Sequence, residues 1–162
     1  FDDALEKLKR AVESGQIRRF TGNDYAPDLA KGDIAACMAW SGDVIQLGFD
    51  NDQIKFVVPD SGLLIWSDNM LVPNKATHKA NAERLMNYYY EPAVAAELAA
   101  YVNYICPVQG AREEMEKIDP ELANNPLIFP DSEMQAKAHD FMDLTEEQER
   151  VYQSKFQQVI GA

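Results

Sequence analysis

The sequence has few basic residues and only two histidines and two cysteines. Fifteen Lys and Arg stand against 27 Asp and Glu in 162 residues, a formal net charge of -12. A field of this sign repels nucleic acid and anionic membrane surfaces and attracts cations, so no nucleic-acid partner is expected. His78, His139, Cys37 and Cys106 match no metal-ligand spacing. The sequence therefore predicts no metal site, and it leaves open whether the two thiols pair.

Long apolar runs and enzyme motifs are also missing. The longest uninterrupted apolar run is Ile34 to Trp40, whereas a membrane-spanning helix needs about 20 residues. The sequence contains no GxSxG, HExxH, GxxxxGK[ST] or GxGxxG motif. Neither histidine has a neighbour that suggests a nucleophile or a proton relay. These absences argue against an enzyme and predict no cofactor.

Hydrophobic patterning predicts an α/β fold with three or so strands and many helices. Ile34–Trp40 is predicted to be a buried strand, because an apolar run of this length between turn residues is typical of a strand covered on both faces. Further strands are predicted at Ile54–Val58 and within Gly62–Pro73. Three strands make a narrow sheet for so many helices, which suggests that part of the fold is missing.

Local capping and proline signals predict the helices. Asp2 or Asp3 is expected to cap a helix that runs to about Glu13. Pro92 suits the first position of a later helix. Thr145–Gln148 forms a capping box at the start of the last helix. The C-terminal third is predicted to be helical throughout, with interruptions only at prolines.

Two predicted strand ends combine an aromatic residue with a carboxylate. Trp40 and Asp43 close the first strand, and Trp66 and Asp68 lie within the third. Ligands of open α/β sheets gather beyond the carboxyl ends of strands. Residues two apart on a strand share a face, so Trp66 and Asp68 would project together. An indole attracts an ammonium group and a carboxylate binds it, so each pair is suited to an organic amine.

Each of these residues also has an ordinary structural interpretation. A tryptophan is more often part of a core or its edge, and an aspartate after a strand is more often a turn or helix cap. Tyr104 follows a predicted helix, where its ring either enters a cleft or packs. Tyr88–Tyr90 offers phenolate ligands for iron, but adjacent helical residues point in different directions.

The order of these segments resembles one family, the periplasmic or lipid-anchored spermidine/putrescine-binding proteins of ABC transporters. The similarity covers nearly all of the chain in order, which makes it more specific than any single motif. The segments that carry the resemblance are Gly32–Asp43, Gly62–Met70, Val72–Pro73, Asn87–Ala95, Tyr101–Val108, Pro120–Glu121 and Ile128–Asp131.

The resemblance implies a polyamine receptor of the periplasmic-binding-protein (type II) fold, with the ligand clamped between two α/β lobes. Trp40 and Trp66 would stack on the ligand, Asp68 would bind one amine and Tyr104 would line the pocket. An acidic residue at Asp43 resembles the putrescine-binding branch more than the spermidine-specific one. The expected partners are the polyamine and the permease subunits, at the outer face of the cytoplasmic membrane.

The resemblance also implies that this chain is the C-terminal half of such a receptor. Residues 1–65 would belong to the second lobe, 66–73 would cross between the lobes as a hinge, and 74–162 would hold parts of the first lobe and the closing helices. An isolated half is expected to cover its open sheet edges with a second copy, as a homodimer or a swapped dimer.

Two competing hypotheses stay open on the sequence alone. In one, the receptor fold binds ferric ion or another small solute, with tyrosines as ligands. In the other, the protein is a polyamine-modifying enzyme that recognises amines through the same aromatic and acidic side chains. The lack of a nucleotide-binding or nucleophile motif argues against the enzyme.

Overall fold

The computed structural model describes residues 1–161, which divide into two compact units. One unit contains Phe1–Tyr25 and residues 141–161. The other contains Ala26–Asp140. All five candidate binding residues lie in this second unit.

Helices dominate both units. The helices are α1 (Asp2–Glu13), α2 (Tyr25–Lys31), α3 (Ser41–Asp50), α4 (Lys79–Tyr88), α5 (Pro92–Val102), α6 (Ala111–Ile118), α7 (Pro120–Ala123), α8 (Ser132–Ala136) and α9 (Glu146–Ile160). The strands are β1 (Leu63–Ile65) and β2 (Ala138–Asp140). The prediction of a helix-rich α/β chain is confirmed, with fewer and shorter strands than expected.

In the first unit α1 packs against α9. The rings of Phe1 and Tyr152 stack with centroids 3.8 Å apart. Lys155 Nζ donates to Asp2 Oδ1 at 2.7 Å, and this contact lowers the pKa of Asp2. The predicted aspartate cap is wrong: the N-cap residue is Phe1, and Asp2 lies inside the first turn. An acidic residue there still interacts favourably with the helix dipole.

The capping box predicted for the last helix is confirmed. Thr145 Oγ1 accepts a hydrogen bond from the Gln148 amide at 3.2 Å, and the Thr145 amide donates to Gln148 Oε1 at 2.9 Å. Gly161 ends α9 in the left-handed conformation, with φ 77°. Both ends of this helix are therefore set by local sequence.

The core of the second unit lies where α5 packs on α6 and α7. Pro92 occupies the start of α5, as predicted. Alanines on α5 and α6 let these helices approach closely, and Met115 is completely buried between them. The buried core residues are Ala95, Ala96, Ala99, Ala111, Met115, Leu122, Ala123 and Ile128.

The sheet is a parallel pair, with Leu63 opposite Ala138 and Ile65 opposite Asp140. Gly62 precedes β1 with φ 97°, a conformation that suits glycine. The third predicted strand is confirmed only over the three residues of β1. The second strand of the pair, β2, lies in the C-terminal third, where only helices are predicted, so the helical prediction is wrong for these three residues.

The two other predicted strands are also wrong. Neither Ile34–Trp40 nor Ile54–Val58 forms a strand in the described chain. Met38 is 92% exposed and Val57 is 75% exposed. A short apolar run between turn residues is typical of a strand, but a strand also needs a hydrogen-bonded neighbour. No described residue pairs with either segment in a ladder.

Both cysteines are free thiols. Cys37 is exposed, contrary to its predicted place in a core strand, and Cys106 is half-buried. Burial raises the pKa of the Cys106 thiol. Across residues 1–161, no helix has the length and apolar character required to cross a bilayer.

Candidate functional site

The two tryptophans come together at the ends of different segments. Trp40 is the N-cap residue of α3, and Trp66 follows the last residue of β1. Their ring centroids are 4.9 Å apart with an interplanar angle of 65°, an edge-to-face arrangement. Each side chain remains 43% exposed. The pair therefore presents aromatic surface to solvent.

Asp43 lies in the first turn of α3, half-buried. The hydroxyl of Tyr104 donates a hydrogen bond to Asp43 Oδ1 at 3.2 Å. Tyr104 comes from the loop after α5, 61 residues along the chain. The structure thus joins two of the sequence-predicted residues directly, through a contact that no local pattern could reveal.

The hydroxyl of Tyr104 holds its proton tightly. Burial, the charge and hydrogen bond of Asp43, and the charge of Asp68 raise the pKa of Tyr104 from 10.0 to about 12. Each carboxylate disfavours a second negative charge on the phenol. At neutral pH the hydroxyl is therefore a permanent hydrogen-bond donor, and Asp68 lies close enough to affect it electrostatically.

Asp68 stands beyond the end of β1 and is exposed. The prediction that Trp66 and Asp68 share a face of one strand is wrong, because β1 ends at Ile65 before either residue. Asp68 instead reaches the site from an irregular segment. Because Asp68 lies outside the strand, the alternation of side chains along β1 does not determine where its carboxylate points.

Asp68 and Tyr104 are among the residues that line a groove of about 420 Å³. Much of the lining is apolar or aromatic, and besides Asp68 and Tyr104 only the tyrosines before α5 had been indicated by the sequence. The other lining residues are Met70, Tyr89, Tyr90, Ala95, Leu98, Ala99, Val102, Ile105, Cys106, Pro107 and Val108. Apolar residues such as Met70 and Leu98 carried no sequence signal, since the same residue types are typical of a core.

The donor set suits an organic cation better than a metal. Two carboxylates, a phenol hydroxyl and two indoles lie on neighbouring segments. Within residues 1–161, no three His, Cys, Asp or Glu side chains are grouped to hold a metal ion. Tyr88 and Tyr89, two of the proposed iron ligands, lie edge to face with centroids 6.3 Å apart.

Comparison with known proteins identifies the family. The sequence model of the bacterial extracellular solute-binding proteins matches residues 1–130. The chain belongs to this family. Its members are solute-binding proteins, and the helix-rich α/β architecture with few strands is consistent with part of a periplasmic-binding-protein fold.

Curated members of the family are similar over most of the chain. The spermidine/putrescine-binding periplasmic protein of Salmonella typhimurium (strain LT2) is 28% identical over 93% of this chain and 42% of its own length. The putrescine-binding periplasmic protein PotF of Escherichia coli (strain K12) is 30% identical over 83% of this chain and 36% of its own length. A putrescine/agmatine-binding protein of Pseudomonas aeruginosa is 26% identical over 83% of the chain. The chain therefore spans about two fifths of the length of these relatives.

Proposed function

We propose that this chain is part of an extracytoplasmic receptor that binds a polyamine, putrescine or spermidine, and delivers it to an ABC-type permease. The receptor would act in the periplasm or on a lipid anchor at the outer face of the cytoplasmic membrane. It would bind and release its ligand without changing it chemically. The relatives described above are named for spermidine, putrescine or agmatine, which supports this choice of ligand class.

The observation that carries the proposal is that Trp40 and Trp66 are in contact while the carboxylates that follow them, Asp43 and Asp68, both act on Tyr104. A linear polyamine has ammonium groups joined by methylene chains, so it needs negative charge at its ends and apolar surface between them. Aromatic faces attract ammonium groups by about 0.5–2 kcal/mol each. Carboxylates supply charge-assisted hydrogen bonds that offset the loss of hydration. The formal net charge of -12 further raises the local concentration of cations.

Each residue has a distinct role in this proposal. Trp40 and Trp66 stack on the methylene chain and ammonium groups, and Asp68 binds one amine. Tyr104 lines the pocket and holds the carboxylate of Asp43 through its hydroxyl. Asp43 favours the diamine putrescine, because an acidic residue at this position resembles the putrescine-binding branch of the family.

The proposal includes a type II fold of two lobes that close on the ligand. Residues 1–65 and 74–162 contribute to the lobes, and 66–73 form the crossing between them. Trp66 and Asp68 would then stand at the hinge, so that ligand contact and closure are coupled. A homodimer or swapped dimer would cover the open edges of the β1–β2 pair.

Calorimetric titration of the full-length protein with putrescine, spermidine, spermine and Mg²⁺ tests the proposal. We expect one-to-one binding of a polyamine and no binding of Mg²⁺ at the same site. Asp68→Asn should abolish or strongly weaken binding. The matched control is Glu113→Gln, which removes one charge from an exposed position in the first turn of α6.

Equal losses in the two variants would show that general charge, and not this site, governs binding. Heat from none of the amines would contradict the polyamine proposal. Addition of ferric ion in the same experiment distinguishes the iron hypothesis, because tyrosinate ligands would produce a visible charge-transfer band. Analysis of the amine after incubation would detect any chemical modification.

A further inference from the structure

We propose that Gly42 and Asn103 are positioning residues for the polyamine site, which they shape by holding Tyr104 against Asp43. The inference rests on the proposed function, since it assigns these two residues a role in the same site. Neither is expected to touch the ligand. Together they link the helical core of the second unit to the carboxylate of Asp43.

Gly42 provides the surface on which the ring of Tyr104 lies. It is buried in the first turn of α3, next to Asp43. A Cβ atom at this position would overlap the ring, at 2.6 Å from Cδ2, 2.7 Å from Cζ and closer still to Cε2. Any side chain at position 42 must therefore push the ring away. The requirement for glycine is steric, because residue 42 has no positive φ.

Asn103 fixes the backbone from which Tyr104 projects. It is 2% exposed and ends α5 in the left-handed conformation, with φ 59° and ψ 25°. Its amide donates to the Ala99 carbonyl at 2.8 Å, and its side chain Nδ2 donates to the Ala100 carbonyl at 3.0 Å. Asparagine tolerates this conformation better than most residues. The chain therefore leaves α5 in one direction.

The two constraints act on opposite ends of the same side chain. Asn103 sets where the Cα of Tyr104 lies, and Gly42 allows the ring to approach the start of α3. The hydroxyl then meets Asp43 Oδ1 at 3.2 Å. A hydrogen bond to one oxygen fixes the rotation of the carboxylate, so the ligand meets one carboxylate orientation instead of several. Pre-organisation of this kind increases affinity without a new ligand contact.

The structure offers a matched pair of alanine substitutions in α3. Gly42→Ala introduces the clash with Tyr104, whereas Gly48→Ala adds the same methyl group in the same helix, where the nearest atom is the Ile54 carbonyl oxygen at 4.0 Å. The substitutions are made in the full-length protein. Ionisation of Tyr104 is followed by ultraviolet absorbance, with Tyr104→Phe in each background to isolate its signal. Polyamine affinity is measured by calorimetry.

We expect Gly42→Ala to move the ionisation of Tyr104 toward lower pH, because the ring leaves Asp43. Polyamine affinity should fall by about tenfold or more, which corresponds to the loss of one hydrogen bond to a charged group. Gly48→Ala should change neither quantity. A simple loss of stability would not alter the ionisation of Tyr104 in the protein that remains folded.

A second pair of substitutions, at Asn103, tests the proposal independently, including the case in which Gly42→Ala does not fold. Asn103→Gly retains access to the left-handed conformation, whereas Asn103→Ala disfavours it. We expect Tyr104 to ionise in Asn103→Gly nearly as in the unmodified protein and at lower pH in Asn103→Ala. The same order should hold for affinity.

An unchanged Tyr104 ionisation in both Gly42→Ala and Asn103→Ala would overturn the positioning proposal, whatever the protein binds. A shifted ionisation with unchanged polyamine affinity would also overturn it, because the contact would then play no part in binding. If the unmodified protein binds no polyamine but the ionisation shifts as expected, the proposed function fails while the placement of Tyr104 by these residues is supported.

Discussion

Removal of the Tyr104 hydroxyl should make the stability of the protein less sensitive to alkaline pH. In the folded chain this hydroxyl donates to Asp43 and lies in the field of Asp68, which together with burial raises the pKa of Tyr104 from 10.0 to about 12. Tyr104→Phe keeps the ring on Gly42 and deletes only the group that ionises. The difference in unfolding free energy between the two proteins therefore isolates this hydroxyl.

The sign of this pH dependence follows from the number of protons bound in the folded and unfolded states. Between pH 10.0 and about 12 the unfolded chain has released the proton of Tyr104, whereas the folded chain retains it. The folded state then binds more protons, so stability falls as pH rises, and below this range the contribution is fully present. The full difference in pKa is equivalent to at most about 2.7 kcal/mol. Because the side chain is half-buried and solvent screens its charges, we expect a loss of roughly 1 kcal/mol between about pH 9 and about pH 11.

Urea unfolding of both proteins at several pH values provides the measurement. Near neutral pH, Tyr104→Phe should be less stable by about 1 kcal/mol, the net value of one hydrogen bond. This deficit should shrink or reverse as pH rises. Tyr101→Phe controls for the substitution itself, since Tyr101 is 84% exposed. A deficit that stays constant from neutral pH to about pH 11 would refute the reasoning.

Two further pairs test the core and the sheet. Met115→Ala should lower the unfolding free energy by about 2–4 kcal/mol, because the side chain is completely buried, whereas Met38→Ala, at a residue 92% exposed, should change it by less than about 0.5 kcal/mol in the same urea titration. Gly62→Ala should lower the melting temperature more than Gly15→Ala. Both residues have a positive φ, but only at Gly62 would a Cβ meet other atoms, including the His139 ring at 2.7 Å.

Helices could be predicted from the sequence because their signals are local. Pro92 begins α5, and the capping box at Thr145 begins α9, since both depend on residues within one turn. Strands could not be predicted with the same success. The apolar run at Ile34–Trp40 has the composition of a buried strand, yet its ladder requires a partner that composition does not specify. Conversely, β2 pairs with β1 although the sequence of β2, Ala138–Asp140, has no strand pattern.

The sequence indicated candidate residues for the site but not the contacts between them. An aromatic residue followed by a carboxylate at two predicted strand ends indicated Trp40, Asp43, Trp66 and Asp68. The predicted strands are absent or shorter in the structure, but both tryptophans still lie at the end of a segment: Trp40 immediately before α3 and Trp66 immediately after β1. The contact between Tyr104 and Asp43 joins segments that are distant in sequence, and only the fold brings them together.

The site can form without a wide sheet because Trp40 and Trp66 lie at the ends of a helix and a short strand, and not within long paired strands. Trp40 has φ -75° and ψ 135°, so the chain is already extended where it enters α3. Asp43 lies in the first turn of that helix, close in sequence to Trp40. On the other side, three ladder residues suffice to fix the end of β1, where Trp66 begins the irregular segment. The indoles of Trp40 and Trp66, which stand at these two segment ends, therefore meet with ring centroids 4.9 Å apart although neither of the two full predicted strands is present.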